Sequence, residues 1–177
     1  MITRETFKFL LIILFCSCQR NKTKEIVKQD FATEIKQLVL NQNEKGQEYF
    51  FKLMKPKEVL EYKVTYIGDA YSESDGMLKF VAYTILSGLY EDSKRANSSI
   101  YLYNENNSVL GSYYVGGSFE ILPRVVNDTL IIQQKSNSCN QTTRISFRDS
   151  IPQEIFIHCE EENGKMFGDL YYFEKMK

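Results

Sequence analysis

Few residues of this 177-residue chain have the types and spacing that carry chemistry. The sharpest pair is His158-Cys159, and His158 is the only histidine. A nucleophile and its base need side chains within hydrogen-bond reach, yet neighbours on a strand point to opposite faces, so a structural role is expected for both. With one His and no Cys-x-x-Cys, no zinc site is expected. Asp69, Glu73 and Asp75 share a polar stretch without the ligand spacing and closing Glu of an EF-hand, which reads as a solvated turn. Gly111, Gly116 and Gly117 lead into no Gly-Lys-Ser/Thr, so they form no phosphate loop, and Gly-x-Ser-x-Gly is absent. Acidic residues are plentiful, but none stands out as the pair a glycosidase needs. No catalytic residue, metal or cofactor is assigned from the sequence.

The aromatic residues offer more. Twelve tyrosines fall largely on segments that read as strands, and tyrosine combines apolar area with a polar tip. Tyr101, Tyr103, Tyr113, Tyr114, Tyr171 and Tyr172 are the candidate ligand-binding face. The competing expectation is that they are cross-strand packing pairs.

The compartment is read from the N-terminal stretch Phe7 to Cys18. Arg4 and Lys8 precede an uninterrupted apolar run from Phe9 to Cys16, and Arg20, Lys22 and Lys24 close it. A run this short does not span a hydrocarbon core, which needs roughly 20 apolar residues; it suits a signal-peptide core. Phe15-Cys16-Ser17-Cys18 resembles the lipobox of bacterial lipoproteins, in which an apolar residue and two small ones precede a cysteine. The resemblance covers residues 1–18. It implies cleavage before Cys18, acyl chains such as palmitate on Cys18, and a membrane anchor, since several chains hold where one does not. Gln19-Arg20-Asn21-Lys22 lacks the acidic residues that send some lipoproteins to the cell surface, so a periplasm-facing location in the cell envelope is implied.

That assignment also sorts the four cysteines. Cys16 leaves with the signal, Cys18 is acylated, and Cys139 and Cys159 remain as an even pair in an oxidising compartment, where a disulfide is expected. Loss of Arg4, Lys8 and Glu5 with the signal leaves 20 basic and 22 acidic residues, a charge near −2. Nucleic-acid binding needs a concentrated basic surface, so no nucleic-acid partner is expected.

The organisation follows as a signal at 1–17, a lipidated tether at 18–29 and one domain at 30–177. Asp30 is a helix N-cap candidate, and Val27, Phe31, Ile35, Leu38 and Val39 line one helical face. Tyr49 to Met54 is a dense apolar cluster compatible with helix or strand, closed by Pro56. Leu60, Tyr62, Val64 and Tyr66 alternate with Glu61, Lys63 and Thr65, the pattern of a half-buried strand. Asp69 to Gly76 reads as a turn and Leu78 to Leu86 as a central strand apolar on both faces. Glu91 to Asn97 reads as a charged loop, and Asn104-Glu105-Asn106-Asn107 as the turn of a hairpin. Strands are expected at 130–133, 143–147, 154–159 and 169–173, with Glu160-Glu161-Glu162 and Asn163-Gly164 at a hairpin tip. The fold class is mainly β (α+β): an antiparallel meander forming a sandwich or open barrel behind one N-terminal helix. Lipocalin-type carriers share the size and signal, but their Gly-x-Trp is missing because the chain has no Trp. The expected function is a lipid-anchored envelope module that binds a protein partner or a small ligand without catalysis; the alternative is a small envelope hydrolase using carboxylates.

Overall fold

The structure is a computed structural model and describes residues 30–55, 58–89, 93–136, 139–160 and 166–176. The stretch Phe7–Cys18, Val27, Pro56 and Glu161 to Gly164 lie outside these. Among the described residues one helix, α1 (Phe31–Gln42), precedes ten strands: β1 (Glu48–Lys55), β2 (Glu58–Ser72), β3 (Gly76–Gly88), β4 (Arg95–Tyr103), β5 (Val109–Gly116), β6 (Arg124–Val126), β7 (Thr129–Ser136), β8 (Cys139–Ser146), β9 (Glu154–Glu160) and β10 (Met166–Lys175). They form an antiparallel seven-stranded sheet, β1-β2-β3-β4-β5-β10-β9, and a three-stranded sheet, β6-β7-β8. The mainly β expectation holds, with two facing sheets and no closed barrel among the described residues.

Both faces of the large sheet are apolar along β2 to β4, so both must be covered. On one side Leu60, Tyr62, Val64, Tyr66, Val81, Tyr83 and Tyr103 pack beneath Ile35, Val39 and Leu40 of α1. On the other, Ile67, Leu78, Phe80, Ile100, Leu102 and Tyr113 pack against Val125, Leu130, Ile132 and Phe147 of the small sheet and its flanks. Phe80 meets Phe147 edge-on at 4.8 Å, an aromatic geometry that adds to its area burial. Removing a ring of this size from a filled core costs about 3–5 kcal/mol.

Local chemistry sets the element ends. Asp30 occupies the N-cap position, but its backbone oxygen, not its side chain, accepts from Thr33 and Glu34 N–H at 2.8 and 3.1 Å. Asn43 ends α1 in the left-handed region, where asparagine is tolerated. Asn127 and Asp128, both at positive φ, make the tight β6–β7 turn. Gly111 is required where β10 crosses β5: a Cβ there would collide with the Phe173 ring and the Glu174 carbonyl.

Several expectations are corrected. The alternation of β2 holds from Leu60 to Val64 and then stops: Thr65 is 1% exposed, and Ile67 is buried too. A bulge at Ile67-Gly68 opposite Phe80 bends the strand, so β2 continues through Asp69 to Ser72 and reaches the small sheet. Asp69 is therefore in a strand; only Glu73 to Asp75 turn. Of the two readings left open for Tyr49 to Met54, strand is the one observed, as β1, while β4 begins at Arg95 inside the expected charged loop. The meander is broken because β10 inserts between β5 and β9. On α1, Leu38 is exposed and Lys36 is buried in its place, because the helix turns the stripe 32, 35, 36, 39, 40 onto the sheet.

Lys36 is buried against two aromatic rings. Its ammonium lies 3.7 Å from the Tyr101 ring centroid and 4.9 Å from that of Tyr83. Ring faces attract a cation, but burial pushes the Lys36 pKa down from 10.5 to about 8, with Asp30 opposing. Between those values the unfolded chain holds the proton that the folded chain has released, so stability rises with pH there. Burial raises the Tyr66, Tyr83, Tyr103 and Tyr113 phenols, so above about pH 10, where exposed tyrosines ionise, stability falls. Denaturant midpoints measured from pH 7 to 11 are expected to rise above pH 8 and fall beyond about 10. Lys36→Met is expected to flatten the rise and leave the fall; a wild-type curve flat from 8 to 10 contradicts this assignment.

Candidate functional site

The inner face of the large sheet, the one turned toward the small sheet, changes chemistry along its length. In β2 the inward residues run Ile67, Thr65, Lys63, Glu61; in β3 they run Phe80, Ala82, Thr84, Leu86; in β4 they run Leu102, Ile100, Ser98. Register aligns these into rows: Glu48 with Thr65 with Ala82, and Phe50 with Lys63 with Thr84 with Ser98. One end of the space between the sheets is therefore packed hydrocarbon and the other is floored with hydroxyls and charges.

The polar end is a cleft. The connection between β5 and β6, residues 117–123, crosses above it. A middle chamber of about 150 Å³ has Glu48, Lys63, Thr65 and Thr84 on its floor and Ser118, Phe119, Glu120 and Leu122 above. An inner chamber of about 180 Å³ shares Ser118, Phe119 and Glu120 and is completed by Gln133, Gln134, Ile157 and Tyr171. An outer recess of about 360 Å³, lined by Phe50, Lys52 and Glu61, shares Lys63 and Leu86 with the middle chamber. The three spaces follow one another across the sheet.

Its electrostatics are balanced. Lys63 Nζ pairs with Glu48 at 3.1 Å, and Glu61 is held by Lys94 at 2.9 Å and Lys52 at 3.1 Å. Those two lysines hold the Glu61 carboxyl below its ordinary range. Glu120 Oε2 accepts from the Lys135 backbone N–H at 3.1 Å, which fastens the crossing segment to β7. Thr84 Oγ1 and Ser98 Oγ share a buried hydrogen bond of 2.7 Å. Thr65 Oγ1 is buried and has no partner among the described residues, where burying an unpaired hydroxyl costs about 1–3 kcal/mol.

The six candidate tyrosines part company. Tyr103 and Tyr113 are core residues, and Tyr113 donates to the Pro152 carbonyl at 2.5 Å. Tyr101 is half-buried beneath α1 against Lys36. For these three the packing role is the one observed. Tyr171 lines the inner chamber. Tyr114 and Tyr172 are exposed on the helix side of the sheet beyond the reach of α1, with Leu170 and Phe156 exposed beside them. His158 stacks on Phe156 there, ring centroids 5.3 Å apart, while Cys159 is buried toward the other side, as strand alternation requires. Cys139 and Cys159 lie with Cα atoms 5.5 Å apart, within disulfide range. Asp75 accepts from Ser72 and Ser74 hydroxyls and from Ile151 N–H, so the acidic stretch is a brace between β2–β3 and the segment after β8. Cys18 lies outside the described residues. Among them, no group of three His, Cys, Asp or Glu residues is placed to hold a metal ion, and no helix is long and apolar enough to cross a membrane.

Sequence reasoning missed Lys63, Thr65, Thr84, Phe119 and Glu120 as site residues. Glu61-x-Lys63-x-Thr65 has the signature of a solvent face, and nothing local says that a later segment folds over it. Comparison with protein-family models, curated proteins and solved structures gave no match, so the reading of the cleft rests on its own geometry.

If Glu120 fastens the crossing segment, Glu120→Ala is expected to speed amide exchange at Lys135 and across 117–122 while leaving α1 and β2 protected. Exchange unchanged at Lys135 contradicts the tie.

Proposed function

We propose that this chain is a lipid-anchored protein of the bacterial cell envelope, acylated at Cys18 and facing the periplasm, whose domain binds a ligand or partner without transforming it. The anchor is supported by the lipobox-like Phe15-Cys16-Ser17-Cys18 and the short apolar run before it. The separation of Cys139 and Cys159 supports a disulfide in that oxidising compartment, closing a 20-residue span and restricting the unfolded chain by roughly 3 kcal/mol. This bridge would join β8 to β9 and so the small sheet to the large one.

The observation that carries the binding reading is the cleft. It is a preformed recess with mixed polar and apolar walls, the usual character of a ligand site, and the two carboxylates of its middle chamber are occupied within the protein: Glu48 by Lys63 and Glu120 by the β7 backbone. That same pair favours a second reading. Glu48 and Glu120 line one chamber, and two carboxylates flanking a substrate are the machinery of a hydrolase.

The anchor is tested by mass spectrometry of the chain extracted from membranes, where an acylated Cys18 is expected at the N-terminus. A chain starting elsewhere with a free Cys18 thiol contradicts it. The bridge is tested by non-reducing peptide mapping, in which both cysteines alkylating as free thiols is the contrary result. For the binding reading, the chain is immobilised and exposed to envelope extract. Retention of a ligand or partner, lost on Phe119→Ala, is the expected outcome. Turnover of an envelope substrate that stops with Glu48→Gln or Glu120→Gln would instead establish the hydrolase.

A further inference from the structure

We infer that the middle and inner chambers are a site for a neutral saccharide, with one sugar ring in each. The inference rests on the binding reading above and names its ligand class.

Charge selects against ionic ligands. Lys63 and Glu48 neutralise each other at 3.1 Å, and Glu120 leaves the two chambers with one surplus negative charge, so an anion finds no surplus cation. A cation would have only the Glu120 carboxylate, already hydrogen-bonded to Lys135 N–H, and the carboxylate of a zwitterion would have to displace Glu48 from Lys63. Apolar ligands fare no better. An acyl chain in the middle chamber would cover the partly exposed charges of Glu48 and Lys63 without replacing their hydration, and burying such groups is costly.

A neutral polyol fits what remains. Sugar hydroxyls both donate and accept, and the walls offer both partners: carboxylate acceptors at Glu48 and Glu120, an ammonium donor at Lys63, hydroxyls at Thr65 and Ser118, and the amide of Gln133. The unpartnered Thr65 hydroxyl is the most telling of these. It belongs to a residue that lines the chamber and is buried beside it without a hydrogen bond among the described residues. A rotation about its χ1, which exchanges methyl and hydroxyl, presents it to a ligand oxygen. Phe119 lines both chambers and supplies the apolar ring surface that a saccharide's C–H groups cover. Each chamber, about 150 and 180 Å³, has room for about five or six waters at ~30 Å³ each, the space of one sugar ring.

The test is calorimetric titration of the full chain in detergent with maltose, cellobiose and chitobiose as neutral saccharides, alanyl-alanine as a zwitterion and laurate as an acyl anion. At least one disaccharide is expected to bind. Phe119→Ala and Thr65→Val are each expected to weaken it about fivefold or more, and Tyr172→Ala on the opposite side of the sheet to leave it unchanged. Thr65→Val carries a second readout: it replaces an unpaired hydroxyl with a methyl, so the free protein's melting temperature is expected to stay or rise while affinity falls. That combination separates a lost contact from a damaged fold. No disaccharide binding at millimolar concentration, or binding indifferent to both cleft variants, overturns the site. Binding of alanyl-alanine or laurate in place of the sugars, sensitive to Phe119→Ala, overturns the ligand class and leaves the binding reading intact.

Discussion

The structure depends on one constraint: the centre of the large sheet is hydrophobic on both faces. Val64, Val81, Phe80 and Leu102 leave neither side free for water. A sheet of this kind is stable only as the middle layer of a sandwich, and the chain supplies a different cover for each side. The N-terminal helix is the smaller cover and shields β2 to β4. The excursion through β6, β7 and β8 is the larger one; the chain leaves the large sheet after β5 and rejoins it at the edge strand β9. Strand β10 then fills the place between β9 and β5.

The two covers meet the sheet unequally, and the cleft is the consequence. At the hydrocarbon end the sheets are stitched together. Asp128 Oδ1 accepts from Tyr71 N–H at 2.7 Å, Lys45 Nζ donates to the Val125 carbonyl at 2.7 Å, and Glu73 N–H reaches the Arg148 carbonyl at 2.7 Å. At the other end the inward positions turn from Ile67, Phe80 and Ile100 to Thr65, Thr84 and Ser98. Apolar packing no longer draws the layers together there, and the 117–123 segment crosses the gap. The cleft thus opens where the core's composition gives out, on strands held by the packed half.

Much of the fold was legible because its signals are local. Alternation along Leu60 to Tyr66, apolarity on both faces from Leu78 to Leu86, and the Asn104 to Asn107 turn each describe neighbours in sequence. The opposite orientations of His158 and Cys159 needed only the period of a strand. What stayed hidden is non-local. The bulge at Ile67-Gly68 has no turn signature, β6 is three residues long, and the insertion of β10 beside β5 joins segments far apart in the chain. The same holds for the site. Tyr101, Tyr103 and Tyr113 look like Tyr114 and Tyr172 in sequence, and only the position of α1 and the small sheet decides which are core. Thr65 looks solvated until the crossing segment is in place. Lys36 looks like the outward side of its helix until Tyr83 and Tyr101 are seen to receive it.

The central claim is that recognition occurs between the sheets and not on the exposed aromatic side carrying Tyr114, Phe156 and Tyr172. Amide hydrogen exchange of the full chain, with and without envelope extract, distinguishes the two most directly. Protection gained along 63–65, 82–86 and 117–122, with β9 and the first half of β10 unchanged, is the result this account predicts. Protection confined to 154–158 and 168–172 would place recognition on the outer face and contradict it.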